Sequence, residues 1–153
     1  MLSMKAKYGL MAMLRLAREH GRGPWLIAEL AAAEAIPKKF LELILLELKQ
    51  HGVLQSKKGK GGGYLLARRP EDISVGTVLR ILEGTLAPVP CVGHEGYRPC
   101  DECKNPEACS IRLMMSEVYD ATIGILDATT LDQLARRAEA EPPRRPHLQR
   151  YHI

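Results

Sequence analysis

The chain has 153 residues, 46% hydrophobic and 26% charged, with a formal net charge of +4. That length suits one domain plus an appendage, and the hydrophobic share argues against wholesale disorder. Aromatic residues at 5% and only four cysteines argue against an aromatic-rich β-sandwich and a disulfide scaffold.

The helix formers Ala, Leu, Met, Glu and Lys dominate, so the fold is expected to be mainly α. Leu10, Met11, Met13, Leu14 and Ala17 recur at helical spacing and predict a first helix over 8–18, stopped by Gly21, Gly23 and Pro24. A short second helix is predicted over 25–33, with Leu26, Ile27 and Leu30 inward. After a turn at Glu34, Ala35 and Ile36, Pro37 suits the first position of a third helix. That helix carries Phe40, Leu41, Ile44, Leu45 and Leu48 and ends at Gly52. Two short helices joined by a tight turn outline a helix-turn-helix.

Strand-like pieces at 53–56 and 63–67 flank a tip of Lys57, Lys58, Gly59, Lys60, Gly61 and Gly62. Such a hairpin directly after a helix-turn-helix makes a winged helix. A fourth helix over 74–83, with Ser74 as its N-cap, packs Val75, Val78, Leu79 and Leu82. Composition shifts at Gly84 into a proline-bearing loop. Helix returns over 109–126 with Ile111, Met114, Met115, Val118, Thr122 and Ile125 on one stripe. Thr130 then starts a short helix carrying Leu131 and Leu134, and the proline- and arginine-rich stretch from 142 is expected to be disordered. The expected division is a winged-helix domain at 1–84, a cysteine-rich loop at 85–108, a dimerisation helix and short helix at 109–137, and a tail at 138–153. No signal peptide and no membrane-length apolar run opens or interrupts the sequence, so a cytoplasmic protein with no membrane partner is expected.

Charge is unevenly distributed. Between Lys38 and Arg69 stand eight basic and two acidic residues, a local +6 that leaves −2 for the rest of the chain. The patch falls on the reading helix and wing, where lysines would neutralise duplex phosphates. Lys38, Lys39 and Glu42 occupy the first turns of the third helix, the part that reaches base edges. There Lys can donate to guanine and Glu can accept from a cytosine amino group. Lys57, Lys58 and Lys60 sit on the wing with Gly61 and Gly62, which permit close approach to a neighbouring groove.

All four cysteines fall within nineteen positions as Cys91, Cys100, Cys103 and Cys109, a C-x8-C-x2-C-x5-C pattern. Thiolates on a flexible loop suit a soft metal centre, either an iron–sulfur cluster or zinc, and spacing alone leaves both open. A metal-free thiol switch is the remaining reading, and His94 lies inside the loop as a further candidate donor. A small redox protein using Cys100 and Cys103 would need a βαβ context, which this sequence lacks.

Residues 5–17 (KAKYGLMAMLRLA), 36–52, the wing at 58–66 (KGKGGGYLL) and 73–84 (ISVGTVLRILEG), followed by the cysteine loop and a helix, together resemble the Rrf2 family of bacterial winged-helix regulators. The likeness spans about residues 1–135. It implies a DNA-binding transcriptional regulator, not an enzyme: a homodimer whose helices after the cysteine loop pack together on a pseudo-palindromic double-stranded operator. It also implies a 2Fe–2S or 4Fe–4S cluster held by three loop cysteines, whose equivalents are Cys91, Cys103 and Cys109. The fourth-ligand positions of relatives fall on Arg112, Tyr8 or Ala12, so a four-cysteine set including Cys100 is expected, with His94 behind it. On the DNA side, Lys58 stands where the family usually has Arg, and Leu43 where a polar residue would help read bases.

Overall fold

The fold is a helical head with a two-stranded hairpin, described over residues 2–93, 96–101, 103 and 105–140 of a computed structural model. Helix α1 (Met4–Arg18) begins before the predicted residue 8 because Ser3 caps it, its hydroxyl accepting from the Ala6 amide at 3.1 Å. The Ser3 amide in turn donates to the Glu83 carboxylate at 2.7 Å and holds that carboxyl below its ordinary value. Small residues on the buried face of α1, among them Ala6, Gly9 and Ala12, let neighbouring helices approach closely. A Cβ on Gly9 would collide with the Leu82 side chain and press on Ile44, so three helices meet at this glycine.

Helix α2 (Ile27–Ala33) is shorter than the predicted 25–33. Trp25 belongs instead to an extended segment that exchanges two 2.8 Å backbone hydrogen bonds with Tyr64. Leu30 is buried, but Leu26 is exposed rather than inward, because it precedes the first turn of so short a helix. The turn to the next helix closes with Ile36 N–H donating to Ala31 at 2.9 Å and Ala35 held at φ 53°, a left-handed position filled here without glycine. Helix α3 (Lys38–Gln50) follows, with Pro37 in the N-cap position just before the helix rather than at its first residue. Leu41, Ile44, Leu45 and Leu48 are buried on one face.

Strands β1 (Leu54–Lys57) and β2 (Gly63–Leu66) pair antiparallel, with Leu54 opposite Leu66 and Lys57 opposite Gly63. Gly63 has φ 139°, and a Cβ there would strike the Trp25 carbonyl, so glycine is what lets the wing lie against the chain entering α2. After a 3-10 turn at Pro70–Asp72, α4 (Val75–Glu83) is capped by the Ser74 hydroxyl, which accepts from the Thr77 amide at 3.0 Å.

Helix α5 (Ser110–Ala128) is different in kind: none of its nineteen residues is buried. Helix α6 (Leu131–Ala140) then returns to the head and packs on α1, with Leu131 fully buried in the main core. Backbone bonds fix the return, Val75 N–H to Thr129 at 2.8 Å and Leu131 N–H to Ile73 at 2.9 Å. The sequence reading grouped this helix with α5, whereas its core residues pack with the first 84. It also extends past the expected boundary at 137; the region 141–153, expected to be disordered, lies outside the described residues. Among the described residues no helix is long and apolar enough to cross a membrane.

Two substitutions test these turns. Ala35→Gly relieves a left-handed strain of about 1–2 kcal/mol against an unfolded-state penalty of about 0.4–1 kcal/mol. Thermal unfolding should therefore move up by about 2–3 °C. Gly63→Ala should do the opposite, lowering Tm by several degrees and shifting the emission of Trp25, the one tryptophan of the chain.

Candidate nucleic-acid interface and cysteine loop

The basic residues come together on one side of the head. Lys38 and Lys39 open α3 and are exposed, as are Lys57, Lys58, Lys60 and Gly61 of the wing. Between the two elements lies a groove of about 420 Å³ lined by Leu26, Lys38, Glu42, Lys57 and Tyr64, among others. Glu42 faces Lys38 one helical turn away at 3.9 Å, a partly solvated pair that holds neither group firmly. Glu47, the other acid of the helix, is drawn back onto Lys5 of α1 at 2.6 Å. Positive charge therefore dominates the outer side of α3.

Gly62 is placed differently from its neighbours. It is buried, its amide donates to Gly59 at 2.9 Å, and a Cβ would collide with the Lys57 carbonyl oxygen. Its job is to fold the tip, so the tip presents Lys58, Lys60 and Gly61 instead. Arg15 supports the same region from behind, pairing with Glu34 at 2.6 Å while its guanidinium lies over the Trp25 ring.

The second cluster sits beyond α4. The loop from 85 folds back on itself: Arg98 N–H donates to Pro90 at 2.9 Å and Cys103 N–H to Cys100 at 3.1 Å. Cys91 is buried, Cys100 is exposed, and Cys103 and Cys109 are half-buried. Hydrogen bonding with Cys91 and the nearby thiols pushes the Cys100 thiol up. Cys109 behaves oppositely. It is the N-cap residue of α5, and the Arg112 amide, then Ile111's, then the Cys103 thiol and the Arg112 charge hold it below its ordinary value. These amides act on the sulfur electrostatically; no side-chain capping hydrogen bond closes there.

The four thiols act on one another: Cys100 feels Cys91 most strongly and also Cys103 and Cys109, and Cys109 feels Cys103. Among the described residues no three ligating side chains form a metal-holding group, so the four sulfurs share one loop without forming a cage. Their chemistry fits a soft metal centre, because all four are thiols and one is already biased toward the thiolate that metals bind. His94 lies outside the described residues. Ala12 is fully buried in the core and Tyr8 packs edge-on against Phe40 at 5.8 Å, so neither turns toward the loop.

Arg112, singled out in the sequence only because it stands at a fourth-ligand position of relatives, has a role that the sequence did not reveal. Its guanidinium donates to the carbonyls of Cys91 at 3.1 Å and Pro106 at 3.2 Å, and it lies over the Tyr97 ring. It thus staples both arms of the loop to α5. Its position three residues after Cys109 was the available signal, since a cation one turn inside a helix faces the chain that precedes the cap.

With this geometry in place, the relatives are informative. Residues 2–137 match the Rrf2 family, described as an iron-dependent transcriptional regulator. An rrf2-like HTH-type transcriptional regulator from Rhodobacter capsulatus is 39% identical over 137 residues, covering 88% of this chain and 91% of that protein. The structure of CymR from Bacillus subtilis, described as a global cysteine regulator, superposes with a TM-score of 0.75 at 31% identity, covering 90% of this chain and 97% of that one. IscR from T. potens gives 0.74 at 29% identity, covering 95% and 93%. These relatives are transcriptional regulators rather than enzymes. Winged head, basic reading face and family match agree: the chain belongs to the Rrf2 family of transcriptional regulators.

Proposed function

We propose that the chain is a cytoplasmic, homodimeric regulator that binds a pseudo-palindromic operator in double-stranded DNA. In this reading the loop at 85–108 holds an iron–sulfur cluster and passes redox, iron or nitric-oxide status to the reading helices. The observation that carries it is an unbroken mechanical path. Cys109 caps α5 at one end, and at the other Asp127 receives a two-pronged pair of 2.7 Å bonds from Arg80 of α4. Helix α4 packs directly on α3, so the cysteines and the reading helix bear on one connected set of elements.

The homodimer rests on α5. Ile111, Met114, Val118 and Ile125 lie on one stripe and are exposed, which leaves a row of apolar side chains in water over about 21 Å of helix. A second copy of the same stripe would cover it and place two reading heads on one face, the arrangement a two-fold operator demands. Lys38, Lys39 and Glu42 then meet base edges, while Lys57, Lys58, Lys60 and Gly61 contact phosphates or the adjacent minor groove.

Cys91, Cys100, Cys103 and Cys109 would hold the cluster. A bound cluster supplies redox and ligand-exchange chemistry to the loop. The chain's own part is to present thiolates, which the α5 amides and Arg112 favour at Cys109, and to keep both loop arms against α5. Coupling then follows by linkage: a loop state that fits one placement of α5 shifts the population that fits the operator. A second reading, a zinc or metal-free thiol regulator on the same scaffold, is favoured by the likeness to a cysteine regulator.

Two experiments test this. Charge reversal at Lys39 and Lys58 together should weaken duplex binding at least tenfold at 0.1 M salt and cut the slope of log K against log salt by about 1–2; an unchanged slope overturns the DNA interface. Anaerobic purification should yield coloured protein containing iron and acid-labile sulfide, with the colour lost in Cys100→Ala. Colourless protein with one zinc per chain, or with no metal, would transfer the loop to the second reading.

A further inference from the structure

The basic patch does not account for the outermost surface of the reading helix. Lys39, Leu43, Leu46 and Gln50 follow one another at four-, three- and four-residue steps and lie opposite the buried Leu41, Ile44, Leu45 and Leu48. Leu43 is 65% exposed and Leu46 46%. One exposed leucine on a protein surface is ordinary. Two on successive turns, inside a zone where Lys38, Lys39, Lys49, Lys57, Lys58 and Lys60 repel any cationic partner, call for an occupant that is anionic outside and apolar at one spot.

Duplex DNA meets that description in the major groove. Its backbone carries the negative charge, and among the base edges the thymine C5-methyl is the apolar group. A leucine has no donor or acceptor, so against guanine, adenine or cytosine it would strand a polar edge without a partner. We infer that Leu43 is a specificity-determining residue that packs on a thymine methyl, with Leu46 shielding the same spot from water. The inference rests on the DNA reading proposed above and adds a base preference to it. Lys39 lies one turn, about 6 Å along the axis, toward the helix start, so the guanine it would read falls within about two base steps of that thymine.

The test uses the full chain and a random-sequence DNA duplex pool. Sites enriched by the wild type are resynthesised with deoxyuridine replacing each thymine in turn, which removes only the methyl, and affinities are read by fluorescence anisotropy. At one thymine per half-site, uridine should weaken binding about fourfold, the worth of one buried methyl group. Leu43→Ala should bind thymine and uridine sites equally, while its affinity for random duplex and its salt slope match the wild type; exposure of the side chain makes loss of the fold no confounder, and circular dichroism verifies it. Leu43→Glu should enrich cytosine where the wild type enriches thymine. The inference is overturned if Leu43→Ala still discriminates, if no uridine site is weaker, or if the wild type binds random duplex but enriches no sequence. Absence of any duplex binding by the wild type would instead defeat the regulator reading itself.

Discussion

The return of the chain to the head after α5 is the constraint on which the rest of the molecule depends. Helix α5 has no fully buried residue and meets the core through the half-buried Leu126 near its C-terminus, so its position is set largely from its ends. At its C-terminal end three ties converge: the bond from Val75 to Thr129, the bond from Leu131 to Ile73, and the Arg80–Asp127 fork. The fork keeps the Asp127 carboxyl below its ordinary value through hydrogen bonding from Arg80, but both groups are partly solvated. An exposed pair of that kind contributes about 0–1 kcal/mol. Burying Leu131 contributes about 1.5–3 kcal/mol and therefore decides the matter. The ion pair sets direction more than strength. Gly76 makes room for it, since a Cβ there would collide with the Asp127 carboxylate.

With one end fixed, the other acts as a lever. The N-terminus of α5 carries Cys109 and, one turn in, Arg112, whose guanidinium holds the carbonyls of Cys91 and Pro106. A change in the loop therefore reaches α5 at the end farthest from its anchor, where a given force has its largest turning moment and most readily causes rotation. In a dimer joined along α5, that rotation would alter the spacing of the two reading heads. Coupling between sites of this sort is typically about 1–3 kcal/mol, comparable to the few part-buried hydrogen bonds by which Arg112 holds the loop, so in the proposed mechanism the loop would not need to be rigid to be effective.

Helical periodicity made the head legible in the sequence. The buried set Leu41, Ile44, Leu45 and Leu48 follows the 3.6-residue repeat, Ser74 caps as its residue type predicts, and the glycine-tipped hairpin pairs in the expected place. Boundaries failed where a tertiary partner outweighed local preference: Trp25 left the predicted second helix to bond with Tyr64, and Leu26 turned outward with it. The allegiance of α6 was illegible because Leu131 and Leu134 fit any apolar neighbour, and only the fold shows that α1 is the one. In the loop, clustering of the cysteines was visible, but the burial of Cys91 and the exposure of Cys100 depend on how residues 90 and 98 fold together, which no spacing rule encodes.

The distribution of charge and apolar surface on α3 separates affinity from selectivity. In the proposed interface, lysines on the helix start and wing would attract any duplex, and attraction of that kind carries no sequence information. Of the two acids of the helix, Glu47 is engaged by Lys5, whereas Glu42 is held only loosely by Lys38. In the proposed reading, selectivity would come from the side chains that α3 presents to the groove, Lys38, Lys39 and Glu42 with the leucines beyond them. A reading surface made this way gives up hydrogen-bond recognition over its middle turn and relies on shape there. Its discrimination per contact is therefore small, near the worth of a methyl group rather than of a bidentate bond. In the proposed dimer, pairing two heads would double that contribution, which would give the exposed stripe of α5 a role in selectivity as well as in assembly.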